Sequence, residues 1–227
     1  MNQTLFANAL IELFIKGGPI MWPILIATLA AIAVVGERVV WWILLSRRRA
    51  PKVVAQIFST LEKGDLPRAI VVSGGSGDPA IKMLHQGLSN YPDALSESMQ
   101  VVAIDEVEKS GRFLPVMDTL ITLAPLLGLL GTVTGIMGSF SSIGDSELAV
   151  EKVTGGIGEA LIATAAGLGI AITVLLPYNW CNRRTSRLAT ELQKLGTHLE
   201  GLLRKVERRA SETPAAPTSS GLGTHGA

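Results

Sequence analysis

Three stretches of the chain stay apolar for long enough to cross a bilayer, and the segments between them alternate in the manner of soluble helices. The first stretch opens near Gly18-Pro19 and closes after Trp41-Trp42; the second runs roughly from Thr119 to Ser142 and the third from Thr154 to Trp180. A helix rises 1.5 Å per residue, so about 20 apolar residues cover the roughly 30 Å of a hydrocarbon core, and each stretch meets that length. In the first, Trp22 and the Trp41-Trp42 pair lie about 29 Å apart along a helix, the spacing of aromatic belts at two interfaces. The pattern predicts an all-α membrane protein with three transmembrane helices, at 18–46, 119–143 and 154–180, and a short turn at 144–153.

The remaining segments predict long helical extensions on one side of the membrane. Between residues 47 and 118, Val53, Ile57 and Leu61 repeat at helical spacing, with Val54 and Phe58 beside them, and Gly64 ends that helix. Gly74, Gly75 and Gly77 before Asp78-Pro79 form a turn. A phosphate loop would need a lysine followed by serine or threonine after the glycines, and none is there. Asp93 is placed to cap a long helix through Glu97, Met99, Val102 and Val107 that could run straight into the second span. Residues 181–209 carry Leu188, Leu192, Leu195, Leu199, Leu202 and Val206 in alternating steps of four and three, a heptad seam that packs on other cytoplasmic helices or on copies of itself. The lead at 1–17, with Leu5, Ala9, Leu13 and Phe14 on one side, is expected at the outer interface. The tail at 210–227, rich in Ser, Thr, Pro, Ala and Gly, is expected to be disordered.

Composition sharpens this reading in two places. A chain of 227 residues that is 48% hydrophobic and 17% charged, with the apolar residues in blocks, falls in the membrane class. The net charge of +1 hides an asymmetry: Arg47, Arg48, Arg49 and Lys52 follow the first block, and Arg183, Arg184 and Arg187 follow the third. The bias toward lysine and arginine places those ends in the cytoplasm, the Asp145–Lys152 turn outside, the N-terminus outside and the C-terminus inside. Nothing in the charge pattern calls for nucleic acid. With one cysteine, Cys181, no disulfide forms within a chain, and no secretory signal with a cleavage site is evident. The three histidines, His85, His198 and His225, are scattered without metal or nucleophile partners, so no enzyme chemistry and no cofactor are expected.

Candidate chemistry concentrates in the last two spans. Small residues recur at Gly128, Gly131, Gly135 and Gly138 in the second, and at Gly156, Ala160, Ala163, Gly167 and Ala171 in the third. Spacings of three and four put each set on one face, where backbones approach closely in lipid. Thr132 and Thr164 each lie about ten residues from the outer end of their spans, about 15 Å deep, and so share a layer. Either hydroxyl could serve a proton path or simply satisfy itself within its own helix. Glu159, about 8 Å deep, has no basic residue within its span, although an intramembrane charge costs roughly 2.5–3.5 kcal/mol on the mild insertion scale. Burial disfavours the ionised carboxylate, which suits a group that takes up and releases protons; a permanently protonated structural glutamate is the alternative. Five residues separate Glu159 from Thr164, about 140° around a helix, so the two do not lie on one line. Glu37-Arg38, one turn inside the inner belt, is expected as a paired or snorkelling couple, with an ion-pathway role as the alternative.

The second span reads Ala124-Pro125-Leu126-Leu127-Gly128-Leu129-Leu130-Gly131-Thr132-Val133-Thr134-Gly135-Ile136-Met137, and the third Gly156-Ile157-Gly158-Glu159-Ala160-Leu161-Ile162-Ala163-Thr164-Ala165-Ala166-Gly167-Leu168. Both resemble the signature segments of the ExbB, TolQ and MotA family of proton-channel motor subunits, on the ExbB and TolQ branch. The looser match extends from Gly18 to Asn179. The resemblance implies a homopentameric ring in the bacterial inner membrane, around the spans of two copies of a smaller ExbD-like or TolR-like protein that carries an aspartate. It further implies that Glu159, Thr132 and Thr164 line the pore and that motion is passed to a TonB-like or TolA-like protein. One charge crossing 100 mV releases about 2.3 kcal/mol, adequate in kind. The sequence departs from the family pattern at Thr134, where tryptophan is common, at Gly158, where alanine is common, and at Thr173, where a proline is often found; here the proline is Pro177. A scaffold without transport and a flagellar-type MotA-like stator are the rival readings.

Overall fold

The computed structural model describes residues 11–140 and 149–212. Most of the N-terminal lead, residues 144–148 of the expected outer turn and nearly all of the expected tail lie outside the described residues. Within them all regular structure is helical. After a helical stretch at 11–16 come α1 (Met21–Arg48), α2 (Pro51–Glu62), α3 (Leu66–Ser73), α4 (Pro79–Ser89), α5 (Leu95–Gly111), α6 (Leu114–Phe140) and α7 (Ala149–Glu212). Three helical stretches are long and apolar enough to span a membrane: Met21–Arg48, Leu95–Phe140 and Val153–Arg209. Packing divides the chain into two units, Met1–Arg47 with Val107–Leu188, and Arg48–Glu106 with Ala189–Ala227.

The first unit is a bundle of the three spans. Ala27 and Ala31 of α1 meet Met117 and Leu120 of α6 and Val174 of α7 in one buried cluster, and Met21, Ile24 and Ala163 form a second. The inward faces mix small residues with a few large ones, whereas Ile26, Leu29, Ile32, Leu126, Leu129, Met137, Leu161, Ile172 and Leu176 are exposed. That much bare apolar surface is stable only against lipid tails or other membrane helices. Pro125 and Pro177 sit inside α6 and α7 without ending them. In membrane bundles a proline inside a helix is tolerated because neighbouring helices and local adjustments can satisfy the carbonyl it frees.

Two details differ from the expectation. Trp42 is buried, 4% exposed, with Trp180 edge-on at 6.3 Å between ring centroids and the Arg184 guanidinium over both indoles. It therefore packs between helices and is not part of a lipid-facing belt. The helix through Met99 does not run unbroken into the second span, because Arg112 and Phe113 form a turn between α5 and α6.

The second unit packs α2, α3 and α4 with parts of α5 and α7. Gly64, at φ +81°, reverses the chain after α2, and the Asp65 carboxylate accepts from the Arg68 N–H to cap α3. Asp78, nearly fully buried, is the unit's polar node: it accepts from the N–H groups of Ala80 (3.0 Å) and Ala50 (2.8 Å) and from the Arg49 guanidinium (3.2 Å). Arg49 also pairs with Glu191 of α7. Leu192, Leu199 and Leu203 are buried, and His198 stacks on Phe58 at 4.5 Å, so this stretch of α7 packs against helices of its own chain.

Candidate functional site

An antiparallel ladder of small residues joins α6 to α7. A Cβ added at Gly128 would stand 3.0 Å from Thr164 Cα; one at Gly131 would stand 2.5 Å from Ala163 Cβ; one at Gly135 would stand 2.9 Å from the Gly156 carbonyl oxygen. At Gly167 it would collide with the Ala124 carbonyl, and at Gly156 with the Ser139 hydroxyl. Much of what it would meet is main chain, which cannot rotate aside. Ala160 and Ala163 are buried at the same seam. Gly138, on the sequence pattern a member of this set, has open space where a Cβ would go and is exposed, because the step from Gly135 carries it off the contact face.

The two threonines are engaged differently. Thr132 donates to the Leu129 carbonyl within its own helix at 2.7 Å. Thr164 lies within reach of two carbonyl acceptors, Ala160 on its own helix at 3.1 Å and Gly128 across the seam at 3.0 Å. Each oxygen keeps lone pairs to accept from a water or a carboxylic acid.

Glu159 is half-buried, and among the described residues no salt bridge reaches it. Its carboxylate lies against the turn that precedes α1, where Gly18 has φ +70° and a Cβ would overlap the Glu159 Oε1 and Cδ atoms. Beside it opens a cleft of about 740 Å³ lined by Pro19, Ile20, Thr134, Gly135, Gly138, Ser139, Gly155, Gly156 and Glu159. Gly18 was not evident as a site residue from the sequence. The only available signal was the Gly17-Gly18-Pro19 run at the head of an apolar block, which reads as a turn and says nothing of its neighbour.

At the other end of α1, Glu37 and Arg38 form a forked pair, with Nε to Oε2 at 2.5 Å and Nη2 to Oε1 at 2.6 Å. Arg38 is 1% exposed; Nη1 donates to the carbonyls of Lys109 (3.0 Å) and Ser110 (3.3 Å), and the guanidinium lies over Trp41 and Phe113. It ties the last carbonyls of α5, next to the Arg112-Phe113 turn, to α1. Among the described residues no group of His, Cys, Asp and Glu is arranged to hold a metal ion.

These features define a multi-pass, all-α membrane protein with an intramembrane carboxylate beside a tight small-residue seam. Residues 77–194 match the model of the MotA/TolQ/ExbB proton channel family. The chain belongs to that family, a class of non-enzymatic membrane proteins. It is 32% identical over 209 residues to an ExbB-like biopolymer transport protein of Synechocystis sp., covering 87% of this chain and 80% of the relative. It is 29% identical over 216 residues to the Tol-Pal system protein TolQ of Pseudomonas aeruginosa, covering 82% and 94%. A shorter segment of 77 residues is 47% identical to the biopolymer transport protein ExbB of Neisseria gonorrhoeae, covering 34% and 35%.

Proposed function

We propose that this chain is the proton-channel subunit of an ion-driven motor in the bacterial inner membrane, with its N-terminus outside and its C-terminus in the cytoplasm. Five copies form a ring around the single spans of two ExbD-like or TolR-like partners. Glu159, Thr132 and Thr164 contribute to the proton route, and the partner's motion is passed to a TonB-like or TolA-like protein. Family membership and relatives named for biopolymer transport and for the Tol-Pal system support the reading. The observation that carries it is Glu159, a carboxylate retained in an apolar span, half-buried and without a cation partner among the described residues. Such a group is costly in lipid, and pathways for ions and protons are where membrane proteins keep them.

The test is proton flux through vesicles holding the chain with its partner. Glu159→Ala is expected to abolish partner-dependent flux while the complex still assembles. Normal flux in that variant would overturn the proposal and favour a scaffold, which the small-residue seam could serve equally well.

A further inference from the structure

We infer that Gly18 is a positioning residue for Glu159: the turn before α1 seats the carboxylate at the wall of the adjacent cleft, where it exchanges protons with water. The inference deepens the motor reading and rests on its assignment of Glu159 to the proton route.

Two independent observations meet at Gly18. Its backbone is in the left-handed region, at φ +70°, which alone favours glycine. The place a side chain would take is filled by the Glu159 carboxylate. Gly64 and Gly75 share the first property, at φ +81° and +72°, but at both a Cβ would meet nothing within 4 Å. Gly18 is thus the position where any side chain must move the carboxylate. A Cβ added at its neighbour Gly17 would stand 2.6 Å from Met21 Cγ and 3.2 Å from Ile162 Cγ2, so the turn is closely packed on that side too.

The cleft gives the carboxylate something to exchange with. At about 740 Å³ it has room for many waters. Thr134 and Ser139, which line it, donate their hydroxyl protons within α6, to Leu130 at 3.0 Å and to Gly135 at 2.8 Å. Their oxygens remain as acceptors for water. Among the described lining residues Glu159 is the one titratable group. Beside the turn, Lys16 is paired with Glu12 at 2.7 Å. Glu151 and Lys152 lie about two turns earlier on α7. A proton can pass directly between a cleft water and a Glu159 oxygen, and the seat at Gly18 sets whether the carboxylate faces that water.

The test is the pH profile of Glu159 modification by a hydrophobic carbodiimide, which reacts with protonated carboxyl groups. Membranes holding the full chain are labelled across a pH series and the Glu159 peptide is quantified by mass spectrometry. Gly18→Ala is expected to move the labelling midpoint by about one pH unit, a tenfold change in the ratio of protonated to ionised carboxyl at fixed pH. Gly64→Ala, which imposes the same backbone strain away from Glu159, is expected to leave the profile unchanged. A Gly18→Ala profile superimposed on the parent's, or an equal shift in Gly64→Ala, would overturn the inference. Should Gly18→Ala fail to accumulate, Gly18→Ala combined with Glu159→Ala is expected to accumulate as Gly64→Ala does, since the overlap is gone and only the backbone strain remains; its failure would leave Gly18 a purely backbone role. Flux in Glu159→Ala tests the motor reading separately, so the two can fail independently.

Discussion

Thr164 on α7 has a main-chain carbonyl of the neighbouring span, that of Gly128, 3.0 Å from its hydroxyl. The absence of a side chain at Gly128 brings that carbonyl within reach, and the hydroxyl links the two backbones at the middle of the seam. Thr164→Val keeps the shape and removes the link. Hydrogen bonds between membrane helices average about 0.6 kcal/mol and reach about 1.7, so a modest loss of thermal stability in detergent is expected. Thr132→Val, whose hydroxyl closes within its own helix, should lose less.

Two glycines on one helix should respond differently to alanine. A Cβ at Gly167 runs into the Ala124 carbonyl, while one at Gly169 meets nothing within 4 Å. Gly167→Ala is expected to destabilise by about 1–3 kcal/mol through overpacking. Gly169→Ala should be neutral, or gain up to about 1 kcal/mol from helix preference. Thermal unfolding of both variants checks the pair, and a loss at Gly169 would mean that another chain covers that face.

Arg38 anchors a helix end. Arg38→Met removes the guanidinium from the Lys109 and Ser110 carbonyls and from Glu37, and is expected to lower stability by about 1.5–3 kcal/mol. Arg38→Lys should recover part of the loss at most, because an ammonium lacks the fork that serves both carbonyls and Glu37 together. Faster tryptic cleavage after Arg112 in either variant would report the loosened turn.

In the second unit, burial and the adjacent Glu207 carboxylate hold the Tyr91 hydroxyl protonated, pushing its pKa from 10.0 up to about 12. The folded state keeps a proton that the unfolded chain gives up, so the stabilisation is complete below pH 10.0 and fades as pH rises toward about 12. The chain has two tyrosines, so in a Tyr178→Phe background the phenolate absorbance reads Tyr91 alone. Its titration should lie near 12 in the folded protein and return to the ordinary range when Glu207→Gln is added and the chain is unfolded.

Much of the architecture was legible along the chain. The three long apolar helices and the family are found as the pattern and the signature spans indicate. Glycine spacing pointed to one face of α6, yet Gly138 falls off it, since steps of three and four drift around a helix and only the neighbour decides where contact ends. Trp42 looked like a belt residue because belts and inter-helix aromatics share the same place in sequence. The seat of Glu159 was not legible at all.

The sequence by itself determined what depends on consecutive residues: the spans, whose length answers to the hydrocarbon thickness, and the helix of the second unit that ends at Gly64. Only the tertiary structure decided that Glu159 rests on Gly18, that Arg38 holds the carbonyls of Lys109 and Ser110, and that Thr164 reaches Gly128. These contacts join residues far apart in the chain through close approach of backbones, and helical periodicity records which face a residue occupies but not which atom meets it.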